Sequence, residues 1–171
     1  MFHLLQKIIA TPRTTVPASW LGAGEVATIG KPFREEVRRL FSGSLSIRVV
    51  SAGSSNAEEQ ELTALSNSYY DIERFGIRFV ASPRHADMLM VTGPVSVNMA
   101  EALRQTYAAM PTPKLVVAVG DGAIDGSVFR GSYAVHDSVA DIVPVDFSIP
   151  GDPPSPKIIL ASLLKVLRDR R

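Results

Sequence analysis

The 171 residues carry 18 Lys and Arg against 17 Asp and Glu, a formal net charge of +1, with 46% hydrophobic and 20% charged residues. That is the composition of one ordinary globular domain with a sizeable core, and it supplies no global field to draw the chain to nucleic acid. The sequence has no cysteine, which excludes disulfides, thiolate zinc sites, cysteine nucleophiles and cysteine-ligated clusters, and fits a reducing compartment.

No apolar run reaches the roughly 18–20 residues of a membrane span. The opening MFHLLQKIIATPR is apolar but short and interrupted by Lys7, which argues against a secretory signal. It leaves open an amphipathic segment lying on a partner or a membrane surface.

Residues 1–43 read as an irregular N-terminal arm, broken by Pro12, Pro17 and Pro32 and loosened by Gly22, Gly24 and Gly30. Its last part, FREEVRRLF at 33–41, places Phe33, Val37, Leu40 and Phe41 at helical spacing with charges on the other face. This is a surface helix capping the domain or, on the sharper reading, a helix docking on a partner subunit. Trp20 reads as an anchor of the arm.

From residue 44 to 171 strands alternate with helices. LSIRVVSAG (45–53) predicts a strand, and NAEEQELTALSNSYYD (56–71) a helix capped by Asn56 with Glu58 and Glu59 in its first turn. GIRFVAS (76–82) is a short strand and ADMLMVTG (86–93) a buried one. VSVNMAEALRQTYAAM (95–110) is a helix stopped by Pro111 and Pro113. KLVVAVGDG (114–122) is a second buried strand, ADIVPVDFSIPG (140–151) is extended, and PKIILASLLKVLRDRR (156–171) is an amphipathic helix. Apolar strands alternating with helices predict a doubly wound, mainly parallel sheet of flavodoxin-like type, an α/β fold whose working edge lies where the strands end.

Three loops belong to that edge: GSSNAEE (53–59), GDGAIDG (120–126) and IPGDPPSP (149–156). The first has the position of a phosphate loop, but Glu58 and Glu59 follow at once, and neither a Walker lysine nor GxGxxG is present. Asp121, Asp125, Glu58, Glu59 and Asp152 offer oxygen ligands for a hard cation, yet Asp-Gly-x-x-Asp-Gly is ordinary turn chemistry, so solvated or interface carboxylates are the default and no metal site is assigned. His3, His85 and His136 lack ligand spacing. No catalytic residue is assigned.

The motifs RFGIRFVASPRHADMLMVTGPVS (74–96), MPTPK (110–114), VVAVGDGAIDG (116–126) and PVDFSIPGDPPSP (144–156) stand in an order that resembles the small iron–sulfur protein shared by complex I (the B-type subunit of NADH:quinone oxidoreductase) and the energy-converting [NiFe] hydrogenases. SPRHAD, VTGPV and the Gly-Asp before the third ligand position look closest to the hydrogenase-4 and formate hydrogenlyase branch. The resemblance spans about residues 44–167. In that family the three loops hold a 4Fe–4S cluster on four cysteines, in the pattern Gly-Ser-Cys-Asn-x-Cys, Gly-Asp-Cys-Ala and Pro-Gly-Cys-Pro-Pro. Here those positions are Ser55, Glu58, Gly122 and Asp152. Cluster irons take thiolates, sometimes histidines, and none is present at these positions, so the family cluster is expected to be absent and no cofactor is assigned.

The resemblance implies a redox-silent structural subunit of a complex-I-like or hydrogenase-like, ion-translocating complex. It would bridge a large hydrogenase-like subunit and an integral membrane subunit, peripherally on the cytoplasmic side of the cell membrane, touching the membrane indirectly or through the arm. Two other readings stay open. One is a subunit that still takes part in electron transfer or quinone binding with a cofactor supplied by its partner. The other is a freestanding nucleotide- or metal-binding module on a reused fold.

Overall fold

A computed structural model describes residues 23–169. Five strands form one parallel sheet in the order β2-β1-β3-β5-β7: β1 (Leu45–Ser51), β2 (Ile77–Phe79), β3 (Met88–Thr92), β5 (Leu115–Val119) and β7 (Phe147–Ile149). This is the strand order of flavodoxin-like folds, with the chain reversing direction of travel between β1 and β3. The two remaining strands, β4 (Val95–Ser96) and β6 (Val135–His136), make a separate antiparallel ribbon with Val95 opposite His136.

The sequence sets which strands are central. Every residue of β3 (MLMVT) and β5 (LVVAV) is buried, and only a strand covered on both faces tolerates such a run. The pleat then divides them. Met88, Met90, Leu115, Val117 and Val119 join a core with Phe33, Val37, Leu62, Ile159, Leu163 and Leu167, under helices α1 (Ala23–Phe41), α2 (Ala57–Ala64) and α5 (Pro156–Asp169). Leu89, Val91, Val116 and Ala118 face the other way, onto Ala100 and Leu103 of α3 (Val97–Ala109) and Ala123 of the short α4 (Asp121–Asp125). Successive side chains of a strand point to opposite faces, so two cores follow from two unbroken apolar strands.

Several elements differ from the sequence reading, among them Val95–Ser96, read as the start of a helix and found as β4, and the loop over 120–126, which holds α4. The helix over 33–41 is the second half of α1, which begins at Ala23 and contains Pro32. Gly30 does not loosen it: a Cβ there would stand 2.0 Å from Phe75 Cζ, so the glycine lets the helix lie directly on that ring. Phe33 and Val37 are fully buried in the core, as a capping helix requires. The helix read over 56–71 stops at Ala64 because the Asn67 carboxamide accepts the backbone N–H groups of Tyr69 (2.9 Å) and Tyr70 (3.0 Å), building a turn in place of a helical repeat. The stretch read as extended over 140–151 opens instead with a 3-10 turn at Val139–Asp141, closed by a Ser138/Asp141 capping box, before β7. Residues 1–22, including His3 and Trp20, lie outside the described residues. Among those described, no helix is long and apolar enough to cross a membrane.

Candidate functional site

Parallel strands end on one edge, so the loops after β1, β3, β5 and β7 meet there. Backbone hydrogen bonds tie them together. Ala52 N–H donates to the Thr92 carbonyl (3.1 Å) and Ser96 N–H to the Ala52 carbonyl (2.7 Å). Gly120 N–H donates to the Ile149 carbonyl (2.8 Å). Asp121 and Gly151 bond reciprocally: Asp121 N–H reaches the Gly151 carbonyl at 2.9 Å, and Asp121 Oδ1 accepts Gly151 N–H at 2.8 Å. The turn after β3 closes tightly on the first loop. Gly93 has φ +71°, and a Cβ there would meet Ser54 Cα and N at 2.3 Å, so only glycine suits the position.

The convergence encloses a cavity of about 260 Å³ lined by Ser54, Ser55, Glu58, Pro94, Gly122, Ser127, Val128, Phe129 and Asp152. All four positions singled out in the sequence, Ser55, Glu58, Gly122 and Asp152, therefore lie on one wall-to-wall site, although 97 residues of chain separate the first from the last. Ser55 and Asp152 are exposed, while Gly122 and Glu58 are buried, Glu58 at 3% exposure. Asp152 Oδ2 accepts from Ser127 Oγ at 3.3 Å and precedes a cis bond to Pro153. Of the other carboxylates offered as cation ligands, Asp125 is turned away: Oδ1 accepts Ser127 N–H (3.0 Å), and Oδ2 lies 4.0 Å from Arg130. Asn56 occupies the N-cap of α2 in a left-handed conformation but makes no side-chain capping bond.

Two adjacent glutamates in the first turn of α2 have opposite surroundings. Burial alone would raise the pKa of Glu59. Hydrogen bonds from the hydroxyls of Ser54, Thr92 and Ser51, helped by its own backbone N–H, outweigh that and hold its carboxyl below the usual range. Glu58 has no such donors. Its side chain lies across Gly120, where a Cβ would stand 2.7 Å from Oε1; its Oε2, like that of Glu59, is buried without a hydrogen-bond partner among the described residues. Burial raises its pKa, and the nearby charges of Glu59, Asp152 and Asp121 raise it further against an opposing contribution from its own backbone N–H. None of the ion pairs among the described residues involves Glu58 or Asp152.

This donor set does not fit a 4Fe–4S cluster. The chain has no cysteine to supply a thiolate. Gly122 offers no side chain, and a Cβ there would meet Pro94 Cδ at 2.9 Å, so the wall closes against the residue a ligand would need. The remaining groups are a hydroxyl and two carboxyls, one of them biased toward its neutral form, and these are poor replacements for thiolates. Neither described histidine lines the cavity: His85 belongs to the turn leading into β3, at the far end of that strand, and His136 lies on β6. Among the described residues no cluster of three or more histidine or acidic side chains is arranged to hold a metal ion.

Sequence reasoning missed Pro94, Ser127, Val128 and Phe129. Pro94 lies in the VTGPV motif, whose turn is brought to the cavity only by the close approach of Gly93 to Ser54. Val128 and Phe129 were unremarkable as residues in a loop, yet they stand 85% and 51% exposed at the rim of the cavity, and their exposure is the signal.

Comparison with known proteins gives a consistent picture. The family described as NADH ubiquinone oxidoreductase, 20 Kd subunit, matches residues 56–166. An uncharacterized protein of Methanocaldococcus jannaschii is 43% identical over 123 residues, covering 72% of this chain and 82% of that one. The probable membrane-bound hydrogenase subunit mbhJ of Pyrococcus furiosus is 42% identical over 118 residues, covering 69% and 71%. The B-type subunit of NADH-quinone oxidoreductase from Saccharopolyspora erythraea is 46% identical over 107 residues, covering 62% of this chain and 48% of the relative. A chain from the structure of the membrane-bound sulfane sulfur reductase, an archaeal respiratory membrane complex, superposes with a TM-score of 0.65 at 28% identity, covering 82% of this chain and 78% of that one. The resemblance drawn from the loop motifs is thereby confirmed, and the chain belongs to the 20 kDa subunit family of NADH:ubiquinone oxidoreductase.

Proposed function

We propose that this chain is a redox-silent structural subunit of a membrane-bound, complex-I-like or hydrogenase-like complex that moves ions. It bridges a large hydrogenase-like subunit and the integral membrane subunits from the cytoplasmic side, as a peripheral component. The observation that carries the reading is the cavity itself. The loop edge keeps the architecture of its family, but Ser55, Glu58, Gly122 and Asp152 supply a hydroxyl, two carboxyls and a bare backbone where an electron carrier needs thiolates. The named relatives support the assembly: one is a membrane-bound hydrogenase subunit, and the structural neighbour comes from a respiratory membrane complex. The exposed Val128 and Phe129 beside the cavity give a large partner an apolar surface to cover.

The test is to purify the assembly containing this chain anaerobically and to measure iron, acid-labile sulfide and the reduced-state EPR spectrum, assigning each signal with a density map. No iron–sulfur density at the Ser55–Glu58–Gly122–Asp152 cavity, with partners still bound, is the expected result. A cluster or another redox cofactor seated there on partner-supplied ligands would overturn it in favour of a subunit that still conducts electrons.

A further inference from the structure

The cavity at the loop edge gathers negative charge behind an apolar rim, and the chain itself completes neither. Asp152 is exposed there and accepts a long bond from Ser127 Oγ at 3.3 Å. Glu58, 3% exposed, forms part of the wall, with its own backbone N–H as donor, and the charges of Glu59, Asp152 and Asp121 reach it. Among the described residues no lysine, arginine or histidine lines the cavity. Arg130 follows the rim residue Phe129 in sequence but lies 4.0 Å from Asp125 instead. A metal ion has no cage either, because no cluster of three or more histidine or acidic side chains is arranged to hold one among those residues. At about 260 Å³ the cavity is also smaller than the roughly 300–1,000 Å³ of ordinary small-molecule pockets, which suits one long side chain better than a cofactor. Val128 is 85% and Phe129 51% exposed at the mouth, and apolar side chains so placed beside a polar pocket mark a face that a protein covers.

We propose that the cavity is a socket for one basic side chain, a lysine or an arginine, of the large partner subunit, with Asp152 at the mouth and Glu58 in the wall as the counter-charges. The inference rests on the scaffold reading and names what the partner brings to this face. Lysine and arginine combine an apolar stem with a charged head. The stem packs along Pro94, Val128 and Phe129, and the head donates to the Asp152 carboxylate, with the hydroxyl oxygens of Ser55 and Ser127 as further acceptors. An arginine suits this set best, because its planar fork serves a carboxylate and neighbouring oxygens together. Filled in this way, the cavity holds the partner in register by an ion pair shielded from water by the rim.

The experiment uses the assembly purified through an affinity tag on this chain, with iron assayed in the same sample. In its density map a lysine Nζ or an arginine guanidinium of the large partner is expected within about 4 Å of the Asp152 carboxyl. Asp152→Lys puts a like charge at the mouth and is expected to weaken retention of the large partner by at least about tenfold. Asp152→Asn is expected to weaken it less and to flatten its dependence on salt. Thermal melts of the full chain check that each variant folds, and the map decides the occupant independently of any variant. An apolar side chain, ordered water or a metal ion in the cavity overturns the proposal, as does a folded Asp152→Lys chain that keeps the partner as tightly as wild type. A redox cofactor seated there, or no large partner on the chain at all, sinks the scaffold reading as well. An iron-free cavity with the partner bound and no basic side chain in it sinks this inference alone.

Discussion

The two sides of the first turn of α2 start from the same chemistry and end differently. On one side the Glu59 carboxylate is met by Ser51, Ser54 and Thr92, so burial is compensated by hydroxyl donors from three different positions of the edge. On the other side Glu58 lies against Gly120, with its own backbone N–H in place of hydroxyl donors and acids around it. Burial alone does not decide whether a carboxyl is charged; the donors delivered by neighbouring loops do. Glu59 therefore ties β1, β3 and α2 together through the Ser54 and Thr92 hydroxyls, whereas no hydroxyl donates to Glu58.

The strongest way to break the comparison is Glu59→Ala, which removes the carboxylate acceptor of the Thr92 and Ser54 hydroxyls at once and leaves them the Val50 carbonyl and the Ser51 hydroxyl. A loss of about 3 kcal/mol in urea unfolding is expected, from charge-assisted bonds worth roughly 1.5–3 kcal/mol each with partial compensation by water. Gly120→Ala attacks the other side. At φ +90° the new methyl is strained and meets Glu58 Oε1, so a cost of about 2 kcal/mol is expected, together with a displaced Glu58 carboxyl visible in its titration.

Stability against pH sharpens the contrast by sign. The pKa of Glu58 is raised on folding, so its contribution is fully present below its unfolded value and is lost as pH rises through the folded one. The pKa of Glu59 is lowered, so its contribution is present above the unfolded value and is lost as pH falls through the folded one. Glu58→Gln should therefore match the wild type near pH 4 and exceed it at pH 8, by less than Glu59→Ala loses. Thermal melts across that range check it, and a Glu58→Gln protein less stable at pH 8 would reverse the assignment. The smallest effect is expected for Asp152→Asn. This exposed side chain accepts one long bond from Ser127, so stability should stay within about 0.5 kcal/mol of wild type while the Glu58 titration shifts.

Much of the fold was legible because β3 and β5 are unbroken apolar runs, and such runs force a covered parallel sheet whichever helices cover it. The N-terminal helix was less legible. Gly24, Gly30 and Pro32 punctuate it by every local rule, and its helical state rests on packing that composition does not display, such as Gly30 against Phe75. The end of α2 was misplaced because one side chain, Asn67, builds the turn that stops it.

At the site, the four positions 55, 58, 122 and 152 were found through neighbouring motif residues that survive around them. The difference between Glu58 and Glu59 was not legible, because it depends on Thr92 and Gly120 arriving from two other strands. A lone Glu-Glu pair reads simply as a favourable first turn.

The reciprocal bonding of Asp121 and Gly151 has a bearing on how such a subunit is made. Where thiolates from several loops share one inorganic centre, folding waits on delivery of that centre, and oxygen or a chelator can undo it. Here the second and third loops are clasped by two hydrogen bonds that the folded chain makes with its own groups. That clasp is made without a metal ligand.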